Sequence, residues 1–279
     1  MWNSFLMNKN GAVVLAALLC LVAAFPLRAQ VSLSETTSGR NVFPLSAKTC
    51  AAIMYDAVSE PSVVGTAVGL LASDIEKVTG RVPSVSGNGS VPESCRYAVI
   101  AGTLGHSSLI DALVRDRKID VSSISGDWER YAVRLVEAPL KGVRRALVVV
   151  GSDRRGTAYG LLSLSRAIGV SPWYWWMDAP VEHRNSIYLS VNAYDAATPS
   201  VKYRGIFIND EDWGLYRWSK RNFEKERGNF GPRTYAKVCE LLLRLQANYL
   251  CPAMHDASMA FHRIPENRLV ADSFAIVMG

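Results

Sequence analysis

Residues 201–215 read VKYRGIFINDEDWGL, residues 231–255 read GPRTYAKVCELLLRLQANYLCPAMH, and residues 265–279 read PENRLVADSFAIVMG. These stretches decide the fold class. The apolar run over 203–209 predicts a buried strand, and it leaves into the acidic trio Asp210, Glu211 and Asp212. Val238, Leu241, Leu242 and Leu245 fall on one face of a helix over about 232–247, with Pro232 in its first turn. A second strand is expected over 249–254, a short helix over 266–274 and a third strand over 275–279. That alternation is βαβαβ, the opening of a (β/α)8 barrel or of a doubly wound sheet.

Upstream, Thr198, Pro199 and Ser200 mark a boundary. Residues 30–198 read as a separate mixed-sheet α/β domain. Val64, Val68, Leu71, Ile75 and Val78 recur at 4, 3, 4 and 3 residues and predict a helix over 62–79 that stops at Gly80. RYAVIAG at 96–102 is a buried strand, and Leu109, Ile110, Leu113 and Val114 mark the next helix. Strands over 131–137 and 145–151 are joined by a short Pro–Leu–Lys–Gly turn, which predicts an antiparallel pair. A helix over 156–168 and a strand over 186–191 complete the domain.

Residues 1–29 stand apart from this fold. Lys9 precedes fourteen apolar residues from Ala12 to Phe25, and a small residue, Ala29, closes the segment. This is the pattern of a secretory signal peptide, too short for an ordinary membrane span of about 20 apolar residues. Export to a periplasm or the exterior is expected, with no membrane span. The 279 residues are 49% hydrophobic and 20% charged, which excludes a disordered or collagen-like chain. The net charge is +6 without a long basic run, so no nucleic-acid partner is expected. Export permits a Cys50–Cys95 disulfide. Spacings of 45, 144 and 12 residues among Cys50, Cys95, Cys239 and Cys251 give no zinc or redox motif, and four separate small core residues is the plainer reading. No HExxH, CxxC or GxSxG is present, so neither a metal nor a cofactor is called for.

Function in a parallel α/β unit gathers at the C-terminal ends of its strands. Asn209, Asp210, Glu211 and Trp213 stand at the first such end, Cys251 and His255 at the second. Carboxylates beside an aromatic ring suit sugar chemistry: they accept hydroxyl protons and can act as acid or base. Capping and solvated charge are the plain alternative. GSDRRG at 151–156 lies between a strand and a helix, where Arg154, Arg155 and the helix N-terminus could hold an anion, or where Asp153 could pair with an arginine in a structural turn. PWYWWMDAP at 172–180 suits either an interdomain wall or a carbohydrate platform.

Taken together, GSDRRGTAYGLLSLSRAIGVSPWYWWMDAPV at 151–181 and the three stretches quoted first resemble glycoside hydrolase family 115, the xylan α-1,2-glucuronidases. The resemblance covers nearly all of the chain after residue 29 and is densest from about residue 145. It implies an N-terminal α/β domain followed by a (β/α)8 TIM barrel, with residues 199–279 as the start of that barrel. It implies inverting release of glucuronic acid or its 4-O-methyl ether from glucuronoxylan or a related oligosaccharide, and it allows a homo-oligomer of the full-length protein. Asp210 and Glu211 become the catalytic candidates, with Asn209, Trp213, His255 and Cys251 as substrate contacts and the general acid on a later strand. Cys251 stands where the family pattern leads one to expect tryptophan, which removes or changes a stacking surface. Relatives continue beyond the position of Gly279, so residues 199–279 alone are expected to be poorly stable, and this chain by itself inactive. A non-catalytic carbohydrate-binding α/β protein with a remnant barrel is the alternative, and a nucleotide-binding protein using the GSDRRG turn is a third.

Overall fold

The computed structural model describes residues 31–93, 95–208, 214–255 and 257–279. The expected signal peptide therefore lies outside the described residues.

A six-stranded mixed sheet has the order β4-β3-β5-β7-β6-β9. Its strands are β3 (Ala52–Met54), β4 (Val85–Ser86), β5 (Tyr97–Thr103), β6 (Tyr131–Glu137), β7 (Arg145–Gly151) and β9 (Tyr194–Asp195). β4, β3, β5 and β7 run parallel, while β6 pairs antiparallel with both β7 and β9. The hairpin of β6 and β7 has the expected bounds, because each strand is a mainly apolar stretch and a short turn joins the two. Ala98, Ile100, Val148 and Val150 pack on one face of the sheet with helix α2 (Ser108–Arg115). Val99, Ala101, Leu147 and Val149 pack on the other with α1 (Ser62–Thr79) and α3 (Arg154–Ala167).

Helix α1 matches its expected span. Its 4-and-3 stripe is buried, and Gly80 ends it in the left-handed region at φ 68°. A second, three-stranded antiparallel sheet has the order β1-β8-β2, built from β1 (Val31–Leu33), β2 (Val42–Ser46) and β8 (Ile187–Val191).

The third sheet is parallel, with the order β10-β11-β12: β10 (Gly205–Phe207), β11 (Tyr249–Cys251) and β12 (Val277–Met278). After β10 come the short helix α4 (Leu215–Trp218), a π-helical turn (Ser219–Phe223) and α5 (Pro232–Arg244); α6 (Pro265–Ser273) joins β11 to β12. This is the βαβαβ order expected, with shorter strands, but β10, read from the sequence as buried, is exposed at all three residues because it is an edge strand with one open face.

Residues 31–279 form one compact unit, and a single core runs from Phe43 and Tyr159 through Leu242 to Leu250 and Ile276. Two buried polar clusters hold the parallel sheet and its helices to the rest. In the first, Arg244 of α5 donates two bonds to Asp74 of α1, at 2.7 and 3.1 Å, and one to Glu240 at 3.0 Å. Tyr174 and Lys237 also donate to Glu240. Burial pushes the Glu240 carboxyl up, but Arg244 and Lys237 outweigh it and hold the carboxyl below its ordinary range.

In the second cluster, the buried Glu129 accepts from Arg155 at 3.2 Å, from Asn248 at 2.7 Å and from Arg204. Burial pushes the neighbouring Tyr159 phenol well above its ordinary range, with the Glu129 charge adding to the shift. The Tyr174–Trp176 stretch forms a wall against α5 and the π-turn: Trp176 donates to the Lys237 carbonyl at 3.1 Å, and Trp175 meets Trp218 and Phe223 edge-on. Cys50, Cys95, Cys239 and Cys251 are all free thiols, so the permitted Cys50–Cys95 disulfide is not formed.

Candidate functional site

Parallel pairing of β10, β11 and β12 puts their C-terminal ends at one edge. Ile208, Leu250 and Ile276 belong to the core beneath the helices. The residues that alternate with them, Phe207, Tyr249, Cys251, Val277 and Gly279, therefore lie on the opposite face. That face is open: Phe207 is 62% exposed. Tyr249 runs along it toward the C-terminal edge, with its hydroxyl 3.9 Å from the Cys251 sulfur. The hydrogen bond to Cys251 raises the Tyr249 phenol above its ordinary range. The Tyr249 hydroxyl lies where a Cβ on Gly279 would stand, so a larger residue there would displace the Tyr249 ring.

Asn209, Asp210, Glu211 and Trp213 lie outside the described residues. Ile208, directly before them, donates to the Cys251 carbonyl at 3.0 Å, which keeps the ends of β10 and β11 side by side. Cys251 is thus half-buried on the open face at that edge. Two residues on, the Ala253 N–H donates to the Tyr235 hydroxyl at 3.2 Å, so the first turn of α5 sits at the same edge. His255 follows in an exposed turn. Its Nδ1 accepts from the Ala257 N–H at 3.1 Å, and its carbonyl accepts from Ser258. The structure therefore brings Cys251 and His255 to the edge formed by the C-terminal ends of β10 and β11.

Arg154 and Arg155 are elsewhere. Asp153 accepts from the backbone N–H groups of Arg155 and Gly156 at 3.0 and 2.8 Å, and from that of Glu129 at 2.9 Å. The side chain of Arg155 donates to the Ala275 carbonyl at 2.7 Å and to Glu129. Ala275 precedes β12, and Arg204 and Asn248 precede β10 and β11. The GSDRRG turn and Glu129 thus grip the N-terminal edge of the parallel sheet, the edge that supports a fold, while the opposite edge carries the candidate chemistry. Glu129 carries no signal in the sequence, because no local pattern links it to Arg204 and Asn248, far along the chain.

The mixed sheet carries a polar cluster at its own C-terminal ends. Glu60 accepts the Thr103 N–H at 2.6 Å and the Thr103 hydroxyl at 2.7 Å, and Thr103 shares a hydrogen bond with Thr157 at 2.7 Å. Asp56 accepts the Ser108 hydroxyl at 2.7 Å. These contacts tie neighbouring loops together. Burial raises the Glu60 carboxyl above its ordinary range, and the hydrogen bonds from Thr103 offset part of that. A carboxyl whose folded pKa is raised holds its proton more tightly when folded. Its contribution is full below the unfolded value of about 4.3 and is lost as pH rises through the folded value. Glu60→Gln is therefore expected to flatten the decline of the urea midpoint above about pH 4; an unchanged pH slope would contradict this.

Three comparisons bear on the site. The pattern of glycosyl hydrolase family 115 matches residues 196–279. No curated protein matches the chain. Among solved structures, a family GH115 4-O-methyl-α-glucuronidase with specificity for decorated arabinogalactans is similar, with 36% identity and a TM-score of 0.71 over 85% of this chain and 29% of its own. The chain thus spans less than a third of the length of that relative. CpGH84B is similar with a TM-score of 0.51 at 13% identity, over 91% of this chain and 36% of its own. The N-acetyl-β-hexosaminidase of Streptomyces plicatus has a TM-score of 0.50 at 12% identity, over 90% of this chain and 43% of its own. These last two likenesses concern the fold alone.

Proposed function

Because this chain belongs to glycosyl hydrolase family 115, we propose that it is part of a secreted, inverting α-glucuronidase that removes α-1,2-linked glucuronic acid, or its 4-O-methyl ether, from polysaccharide side chains. The observation that carries this reading is the 36% identity to a 4-O-methyl-α-glucuronidase over 85% of the chain. In this reading residues 1–29 direct export and residues 30–198 are an α/β domain. Residues 199–279 supply the first three strands of a (β/α)8 barrel. The parallel order of β10, β11 and β12 supports it.

Inversion uses an acid and a base about 6.5–9.5 Å apart, with a water between the base and the sugar. Asp210 and Glu211, at the C-terminal end of the first strand, are assigned to positioning that water or binding sugar hydroxyls. Asn209, Trp213, Cys251 and His255 are assigned to the sugar, and the general acid to a later strand. Residues 1–279 alone then release no uronic acid.

The specificity of the relative for decorated arabinogalactans favours a second backbone for this chain, arabinogalactan in place of xylan. Both are tested together by incubating the natural full-length protein with glucuronoxylan and with glucuronate-decorated arabinogalactan. Release of (4-O-methyl)glucuronic acid from either supports the reading, and the better substrate names the backbone. Release from neither would remove it.

A further inference from the structure

The segment between β10 and α5 carries more charge than a connection needs. Residues 214–233 contain Arg217, Lys220, Arg221, Lys225, Arg227 and Arg233, all exposed, against Glu224 and Glu226. Glu224 is buried and faces inward. It accepts the N–H groups of Gly231, Thr234 and Arg233 at 2.9, 2.9 and 3.2 Å and the Thr234 hydroxyl at 2.6 Å, and so caps α5. On the surface, Glu226 pairs with Arg233 at 2.8 Å, and Arg227 reaches Glu266 at 3.6 Å. The side chains of Arg217, Arg221 and Lys225 have no acidic partner among the described residues.

Aromatic rings hold some of these cations in place. Lys220 lies 5.4 Å over Tyr216, and Arg233 lies 4.7 Å over Phe223. Lys220, Arg221 and Phe223 belong to the π-helical turn Ser219–Phe223, a distortion frequent at functional sites. A groove of about 320 Å³ opens beside it, lined by Glu224, Glu226, Arg227, Pro232 and Arg233. The segment belongs to the C-terminal edge of the parallel sheet. It leads into α5, whose Tyr235 bonds Ala253, and Arg227 ties it to the first turn of α6.

We infer that this basic rim is an accessory subsite for acidic glycans. It holds the carboxylates of uronic acid units other than the one being cleaved, with Arg217, Arg221 and Lys225 as the free cations. The ligand is a polysaccharide bearing several uronates. The inference rests on the glycosidase reading for its sugar ligand, since the rim borders the edge assigned to sugar chemistry. A cationic border also raises the local concentration of a polyanion at low ionic strength.

The test uses the natural full-length protein and the triple variant Arg217→Ser/Arg221→Ser/Lys225→Ser. On polymeric glucuronoxylan at low salt, the variant is expected to raise KM about tenfold with kcat unchanged. On a short oligosaccharide bearing one glucuronate it is expected to change neither. Equal changes on both substrates, or none, would overturn the inference. A binding arm keeps its failure separate from failure of the glycosidase reading. Wild-type protein is expected to bind glucuronoxylan more tightly than the same polymer with its carboxyls reduced, and the variant to lose that preference. Equal binding of the two polymers, or displacement by single-stranded DNA at the same charge concentration as by glucuronoxylan, would also overturn it.

Discussion

Replacing Glu129 with alanine is expected to lower the unfolding free energy by about 3–5 kcal/mol. The carboxylate is only 2% exposed and faces the Arg155 and Arg204 side chains, 18% and 24% exposed. Removing it leaves two largely buried guanidinium groups without their counter-charge and the Asn248 amide without one acceptor. Breaking a buried pair in this way costs more than the pair contributes, because the remaining charges have lost their solvent as well as their partner.

Glu129 also has φ 54°, a left-handed conformation that costs a non-glycine residue about 1–2 kcal/mol. It is held there by its partners and by the bond from its own N–H to Asp153. Glu129→Gln keeps the shape and an acceptor and is expected to cost less, about 1.5–3 kcal/mol. Because two of the three partners of its carboxylate, Arg204 and Asn248, lie beyond residue 198, the alanine variant should also separate the urea transitions of residues 31–198 and 199–279. Hydrogen exchange at α1 and at α5 would follow the two. A loss under about 1 kcal/mol, with coincident transitions, would show that the apolar core alone holds the parallel sheet in place.

The second large effect concerns chemistry. Asp210→Ala and Glu211→Ala in the full-length protein are each assigned a role in positioning water or sugar, and at least one is expected to lower kcat by about 10²–10⁴-fold. If the role is general base, kcat falls with little change in KM. If it is a hydrogen bond to a sugar hydroxyl that tightens in the transition state, kcat/KM falls and KM rises less. The urea midpoint serves as the control for folding. Unchanged kinetics in both variants would sink the assignment and move the search to the Cys251 and His255 side of the edge.

How much of this was legible in the sequence depends on range. Helix α1 could be read to its last residue because its apolar stripe and Gly80 are local signals, and the β6 and β7 hairpin for the same reason. The βαβαβ order was legible too, since each parallel strand is a short apolar run between helical stripes. Strand β2 was hidden by Pro44, which is tolerated only because β2 is an edge of its sheet. β4 and β9 have two residues each, too few to show a period. β10 was expected over 203–209 but spans Gly205–Phe207; among the described residues it pairs with β11 alone. The Glu129 cluster could not be read at all: Asn248 is 119 residues away, and no periodicity connects them. The GSDRRG turn was read as a turn with two uses, and only the contacts of Asp153 and Arg155 show which edge of the parallel sheet it serves.

The most direct test of the account follows the first product by proton NMR as the full-length protein acts on a 4-O-methylglucuronate-substituted xylo-oligosaccharide. With inversion at the anomeric carbon, the β-anomer of 4-O-methylglucuronic acid is expected to appear first and then to mutarotate. The α-anomer appearing first, or no uronic acid at all, would contradict it.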